Sequence, residues 1–125
     1  MDELVGRIVA NVGVDRAVAE KAVGIILDFL DKEAPADKVK PLLDRLPGAY
    51  EAVAAARSEN GSGGIGGMFG MGGIMGVGSR LMAAGLGMGE IQGVTREVIS
   101  YAREKAGEDA LSDILDAIPG LGQFI

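Results

Sequence analysis

Leu42-Leu43-Asp44-Arg45-Leu46-Pro47-Gly48 is echoed 72 residues later by Ile114-Leu115-Asp116-Ala117-Ile118-Pro119-Gly120. Both stretches run from an apolar pair through Asp to an apolar residue and a Pro-Gly stop. At the same offset, without a gap, Val5-Gly6 falls on Val77-Gly78, Gly13 on Gly85, Phe29 on Tyr101, Ala34 on Ala106 and Asp37 on Asp109. Nine positions are identical over residues 5–50. Two amphipathic helices can match by periodicity alone, but periodicity does not account for paired glycines and prolines.

Each half reads as three helical pieces with common punctuation. The first, residues 2–12 or 74–84, ends at Gly13 or Gly85, where glycine suits a left-handed C-terminal cap. The second starts near Asp15 as N-cap and carries Val18, Ala19, Ala22, Val23, Ile26, Phe29 and Leu30 at spacings of three and four. Its counterpart repeats the stripe with Ile91, Val94, Val98, Tyr101 and Ala102, leaving Thr95, Arg96, Arg103 and Glu104 as solvated positions. The third starts at Asp37 or Asp109 as N-cap and presents Val39, Leu42, Leu43 and Leu46, or Leu111, Ile114, Leu115 and Ile118. Pro41 is expected in its first turn, where a missing N–H is least costly. An Ala-rich helix over 48–58 follows Pro47 in the first half. Nothing reads as a strand. A half of about 46 residues is too small to hold a core alone. The expected fold is therefore all-α: a small single-domain bundle over residues 1–125, made of two similar three-helix halves, 1–50 and 73–122, joined by a Gly/Met-rich connector at 60–73.

Composition narrows the function. The 125 residues contain no His and no Cys, which excludes a Ser-His-Asp triad, a cysteine nucleophile, a disulfide and the usual zinc site. Twelve Lys and Arg against eighteen Asp and Glu, scattered without a basic stripe, argue against nucleic acid. The N-terminus has neither the basic region nor the apolar run of an export signal, so a cytoplasmic location is expected. Asp44 with Asp116, or Asp37 with Asp109, could form carboxylate pairs, but capping and solvation account for them. No catalytic residue, metal site or cofactor is expected. Tyr101 is expected to have a buried ring with its hydroxyl at the edge of the core.

The most unusual stretch is residues 60–79, which hold ten of the 21 glycines and no charge. An ordinary linker would be Gly/Ser with few large apolar groups. Here Ile65, Met68, Phe69, Met71, Ile74, Met75 and Val77 are interleaved with the glycines. Four readings compete. They are a plain connector docked partly on the bundle, a self-association or partner-binding surface, a membrane-surface anchor with small residues at Gly66/Gly70 and Gly72/Gly76, and a Cu(I) site built on Met68, Met71 and Met75. Gly61-x-Gly63-x-x-Gly66 matches the dinucleotide fingerprint only formally, because it follows an Ala-rich helix and Arg80 stands where an acidic residue is needed. Asn60-Gly61-Ser62 is a glycosylation triplet, meaningful only in a secreted chain.

The order Val12-Gly13-Val14-Asp15, Leu46-Pro47-Gly48, Gly-rich connector, Ala84-Gly85-Leu86-Gly87 resembles bacterial helical families of unknown function, especially the VcgC/VcgE-like group. The resemblance covers most of residues 10–118 and implies a small two-part helical protein, with no activity, cofactor or catalytic residue attached. The chain departs from it in its apolar Gly/Met connector and in an N-terminus that is not expected to act as a leader. The expectation is a non-enzymatic interaction or self-assembly module, with a second copy or another protein as partner and Ile65, Met68, Phe69, Met71, Ile74, Met75 and Val77 as contacts. The alternative is a peripheral membrane protein anchored by the same segment.

Overall fold

A computed structural model describes residues 2–34, 36–46, 48–63 and 73–117. Among them are seven α-helices and no strand: α1 (Asp2–Val12), α2 (Arg16–Glu33), α3 (Ala36–Arg45), α4 (Ala49–Gly63), α5 (Gly73–Ala83), α6 (Met88–Ala106) and α7 (Glu108–Ala117). The starts of α2 and α6 lie 72 residues apart, as do those of α3 and α7; α1 and α5 start 71 apart. Gly13 and Gly85 both take positive φ, +85° and +109°, at the ends of α1 and α5. A side chain there would be strained, so glycine is what lets the chain turn.

The core is one cluster fed by all seven helices. From α1 come Leu4, Val5 and Ile8; from α3, Val39, Leu42 and Leu43; from α7, Leu111 and Ile114. The central element is α2, which packs on α1, α3, α4, α5 and α6. Its most extensive neighbour is α4. That approach depends on Gly24, because a Cβ there would stand 2.6 Å from the Ala52 carbonyl oxygen and 3.2 Å from the Ala56 methyl. The Ala-rich face of α4 can therefore lie almost on the α2 backbone. Crossing the other way, α1 packs on α6 and α5 on α2.

Several local expectations are corrected. Helix α4 does not stop with the Ala-rich stretch 48–58 but runs to Gly63, into the expected connector 60–73. An established helix adds residues without repeating the nucleation cost, so poor helix formers are carried along. Asp37 and Asp109 are not N-caps; they lie in the first turns of α3 and α7, where a negative charge faces the positive helix end. Gly107, at φ +94°, makes the turn before α7 and accepts the Leu111 N–H at 3.3 Å. Pro41 is the sixth residue of α3 rather than a first-turn residue, so the helix forgoes the bond to the Asp37 carbonyl. Asp15 does occupy the N-cap of α2, but only its backbone carbonyl caps, receiving the Ala19 N–H at 2.8 Å. Thr95 is buried, not solvated, and donates its hydroxyl to the Ile91 carbonyl at 2.8 Å. Tyr101 is buried in the core.

Candidate interaction surface

The corner between α5 and α6 is built by Gly85. Its N–H donates to the Met82 carbonyl at 3.0 Å, and the Leu86 N–H reaches back to the Leu81 carbonyl at 3.2 Å. This paired closure brings Leu81 and Leu86 together, and both are buried. The corner after α1 is simpler: the Gly13 N–H donates once, to the Val9 carbonyl at 3.2 Å. At the start of α6 the Glu90 carboxylate accepts the Gly87 N–H at 2.8 Å, so the entry is clamped from the following turn.

With Leu81 and Leu86 turned inward, two methionines near them face out. Met82 is 51% exposed and Met88 62%, more than any other large apolar side chain described. Five of the six methionines lie between residues 68 and 88. The expected contact residues Ile65, Met68, Phe69 and Met71 lie outside the described residues, whereas Ile74, Met75 and Val77 lie on α5. On that helix, position 75 is seven residues before Met82 and position 74 seven before Leu81, so each pair shares a line along the axis. Met82 and Met88 were missed in sequence reasoning; the seven-residue step from Met75 to Met82 was the available signal for the first.

The same helix contributes Arg80 to a charge cluster. Asp28 of α2 is fully buried, and its Oδ2 receives Arg80 Nη1 from α5 at 3.2 Å and Lys32 Nζ from its own helix at 3.3 Å. Arg80 thus fastens the methionine-bearing helix to the middle of the bundle. On the α1/α6 side, the Arg7 guanidinium donates to both Glu104 oxygens, at 2.6 and 3.0 Å, and with Lys105 flanks the Tyr101 ring at 5.7 and 5.5 Å from its centroid. The hydrogen bond from Arg7 holds the Glu104 carboxyl below the usual glutamate range and raises Arg7 in turn. Lys105 also meets Glu3 at 3.9 Å, and Asn11 donates to Glu97 at 3.2 Å. Between α3 and α7, Lys38 pairs with Asp113 at 3.5 Å, while Arg45 donates to the Ala106 carbonyl at the end of α6.

The carboxylates considered for catalysis form no metal-binding group among the described residues. Asp44 accepts the Tyr50 hydroxyl at 2.7 Å, a bond that raises the Tyr50 pKa and spans the α3–α4 turn. Gly61 and Gly63 of the dinucleotide-like triplet are the last turn of α4, with no strand before them. Among the described residues no helix is long and apolar enough to cross a membrane. The chain matches no family model, no curated protein and no solved structure.

Proposed function

We propose that this protein is a non-enzymatic self-assembly module whose contact surface is the Gly/Met-rich segment together with the outer line of α5 and the start of α6, and whose partner is a second copy of the chain. The observation that carries the reading is the exposure of Met82 and Met88 at the end of a run containing nearly all the methionine in the chain. Thioether side chains adapt to irregular apolar surfaces, and each large side chain fully buried on association contributes about 1.5–3 kcal/mol. The two-half architecture is part of the same proposal. It is supported by the recurring 72-residue offset of helix starts and by the glycine turns at Gly13 and Gly85. The resemblance to the VcgC/VcgE-like group adds no activity to this reading.

Light scattering coupled to size-exclusion chromatography tests it. Three proteins are compared: the full chain, the chain with residues 64–72 replaced by a Gly/Ser linker, and Met82→Ser with Met88→Ser. The full chain should assemble, and both variants should run as folded monomers with unchanged circular dichroism. A full chain that stays monomeric at high concentration overturns self-assembly. Flotation of that monomer with lipid vesicles would move the surface to the anchoring alternative.

A further inference from the structure

Four ion pairs tie the first part of the bundle to the second. Arg7–Glu104, Lys105–Glu3, Lys38–Asp113 and Arg80–Asp28 all join the N-terminal helices α1–α4 to the C-terminal helices α5–α7, as does the Arg45 bond to the Ala106 carbonyl. The apolar packing crosses in the same sense, with α1 seated on α6, α5 on α2, and α3 on both α6 and α7. Each block thus covers the other's apolar face, and each holds charges that the other neutralises. Sequence joins the two blocks once, between Gly63 and Gly73.

We infer that this inter-block surface is also how a second copy engages: two chains exchange α5–α7, so that each bundle is completed by the other chain. The inference rests on the self-assembly reading and specifies its geometry. An exchanged dimer re-forms every contact of the single-chain bundle, including the buried Arg80–Asp28 pair, now between chains. It therefore needs no new complementary surface and opposes only the entropy of association, which concentration offsets. The exchanged dimer gains only where its two bundles meet, and there the methionine surface supplies the contact that the closed single chain lacks, so loss of that surface leaves the closed monomer.

Val12 and Gly93 provide the test. A Cβ built on Gly93 lies 3.7 Å from the Val12 Cβ, within the span of a disulfide, and the chain has no cysteine of its own. Full-length Val12→Cys with Gly93→Cys is oxidised, separated by size, and each fraction is run on a non-reducing denaturing gel. Exchange predicts that the dimer fraction migrates as a covalent dimer and returns to monomer on reduction. A dimer fraction made only of internally bridged monomers overturns exchange while leaving self-assembly standing. The absence of any dimer overturns both.

A second measurement covers the case in which the cysteine variant does not fold. Arg7→Glu and Glu104→Arg, each in a separate full-length chain, are unfolded, mixed and refolded together, and the dimers are weighed by native mass spectrometry. In an exchanged heterodimer, one bundle pairs Glu at position 7 with Arg at 104 and the other retains the native pair. Heterodimer above the random proportion supports exchange, and random proportions overturn it.

Discussion

Helices α2 and α6 start 72 residues apart and are built on similar apolar stripes, yet one is enclosed and the other is half in water. In α2 every residue from Ala22 to Leu30 is buried, whereas α6 buries Ile91, Val94, Thr95, Val98, Ile99, Tyr101, Ala102 and Ala106 and leaves its other face exposed. Two aligned positions explain the difference. Gly24 admits α4, while its counterpart Arg96 is exposed; Asp28 receives Arg80, while its counterpart Ser100 is exposed. Periodicity thus assigns the inner stripe of a helix, and a neighbour supplied from elsewhere in the chain decides whether the opposite face is covered too.

The largest test of that contrast is Arg80→Ile, which installs on α5 the residue that α1 carries as Ile8. Stripping the guanidinium from a buried carboxylate costs about 3 kcal/mol, toward the low end for a broken buried pair because Lys32 remains. Combining it with Asp28→Ser, the residue α6 carries as Ser100, should return most of the loss, since a helical serine can bond the carbonyl one turn back. Urea unfolding reads both, and a double variant no better than the single one would break the analogy between the two helices. Gly24→Ala comes next. The added methyl meets the Ala52 carbonyl, so we expect a loss of about 2 kcal/mol by overpacking, against less than about 0.5 kcal/mol for Arg96→Ala at the matching site. Gly93→Ala should be milder still. The three atoms nearest its Cβ all belong to the Val12 side chain, a methyl at 3.0 Å first, and alanine's helix propensity offsets the crowding to within about 1 kcal/mol.

The smallest expected effect is on pH. Glu104 titrates lower in the folded chain than in the unfolded one, so the Arg7 pair contributes stability above the ordinary glutamate range. That contribution is lost as pH falls through the depressed folded value. Thermal melts of the protein and of Glu104→Gln should therefore differ at pH 7 and converge in acid. Curves that stay equally separated at every pH would remove the pair from the α1/α6 contact.

The all-helical class was legible because its signals are local. Apolar residues at spacings of three and four announce each stripe, and Gly13 and Gly85 announce two of the stops. What was not legible depends on neighbours. Arg80 looked relevant only as a misfit in a nucleotide motif, because nothing near it in sequence points to Asp28. Thr95 looked solvated because it is polar, and its burial is possible because its hydroxyl bonds the Ile91 carbonyl on its own helix. Met82 and Met88 drew no reading at all, because only the burial of Leu81 and Leu86 shows which neighbouring positions stay outside.

The seating of α1 on α6 also bears on how the protein is made. Arg7 and Glu104 are 97 residues apart, so α1 leaves the ribosome well before the helix that receives it exists. At ordinary rates of synthesis the wait is about 5–20 s, far longer than a helix takes to form. During that time Leu4, Val5 and Ile8 lack the helix that forms their most extensive contact, an early opportunity for two chains on one message to meet.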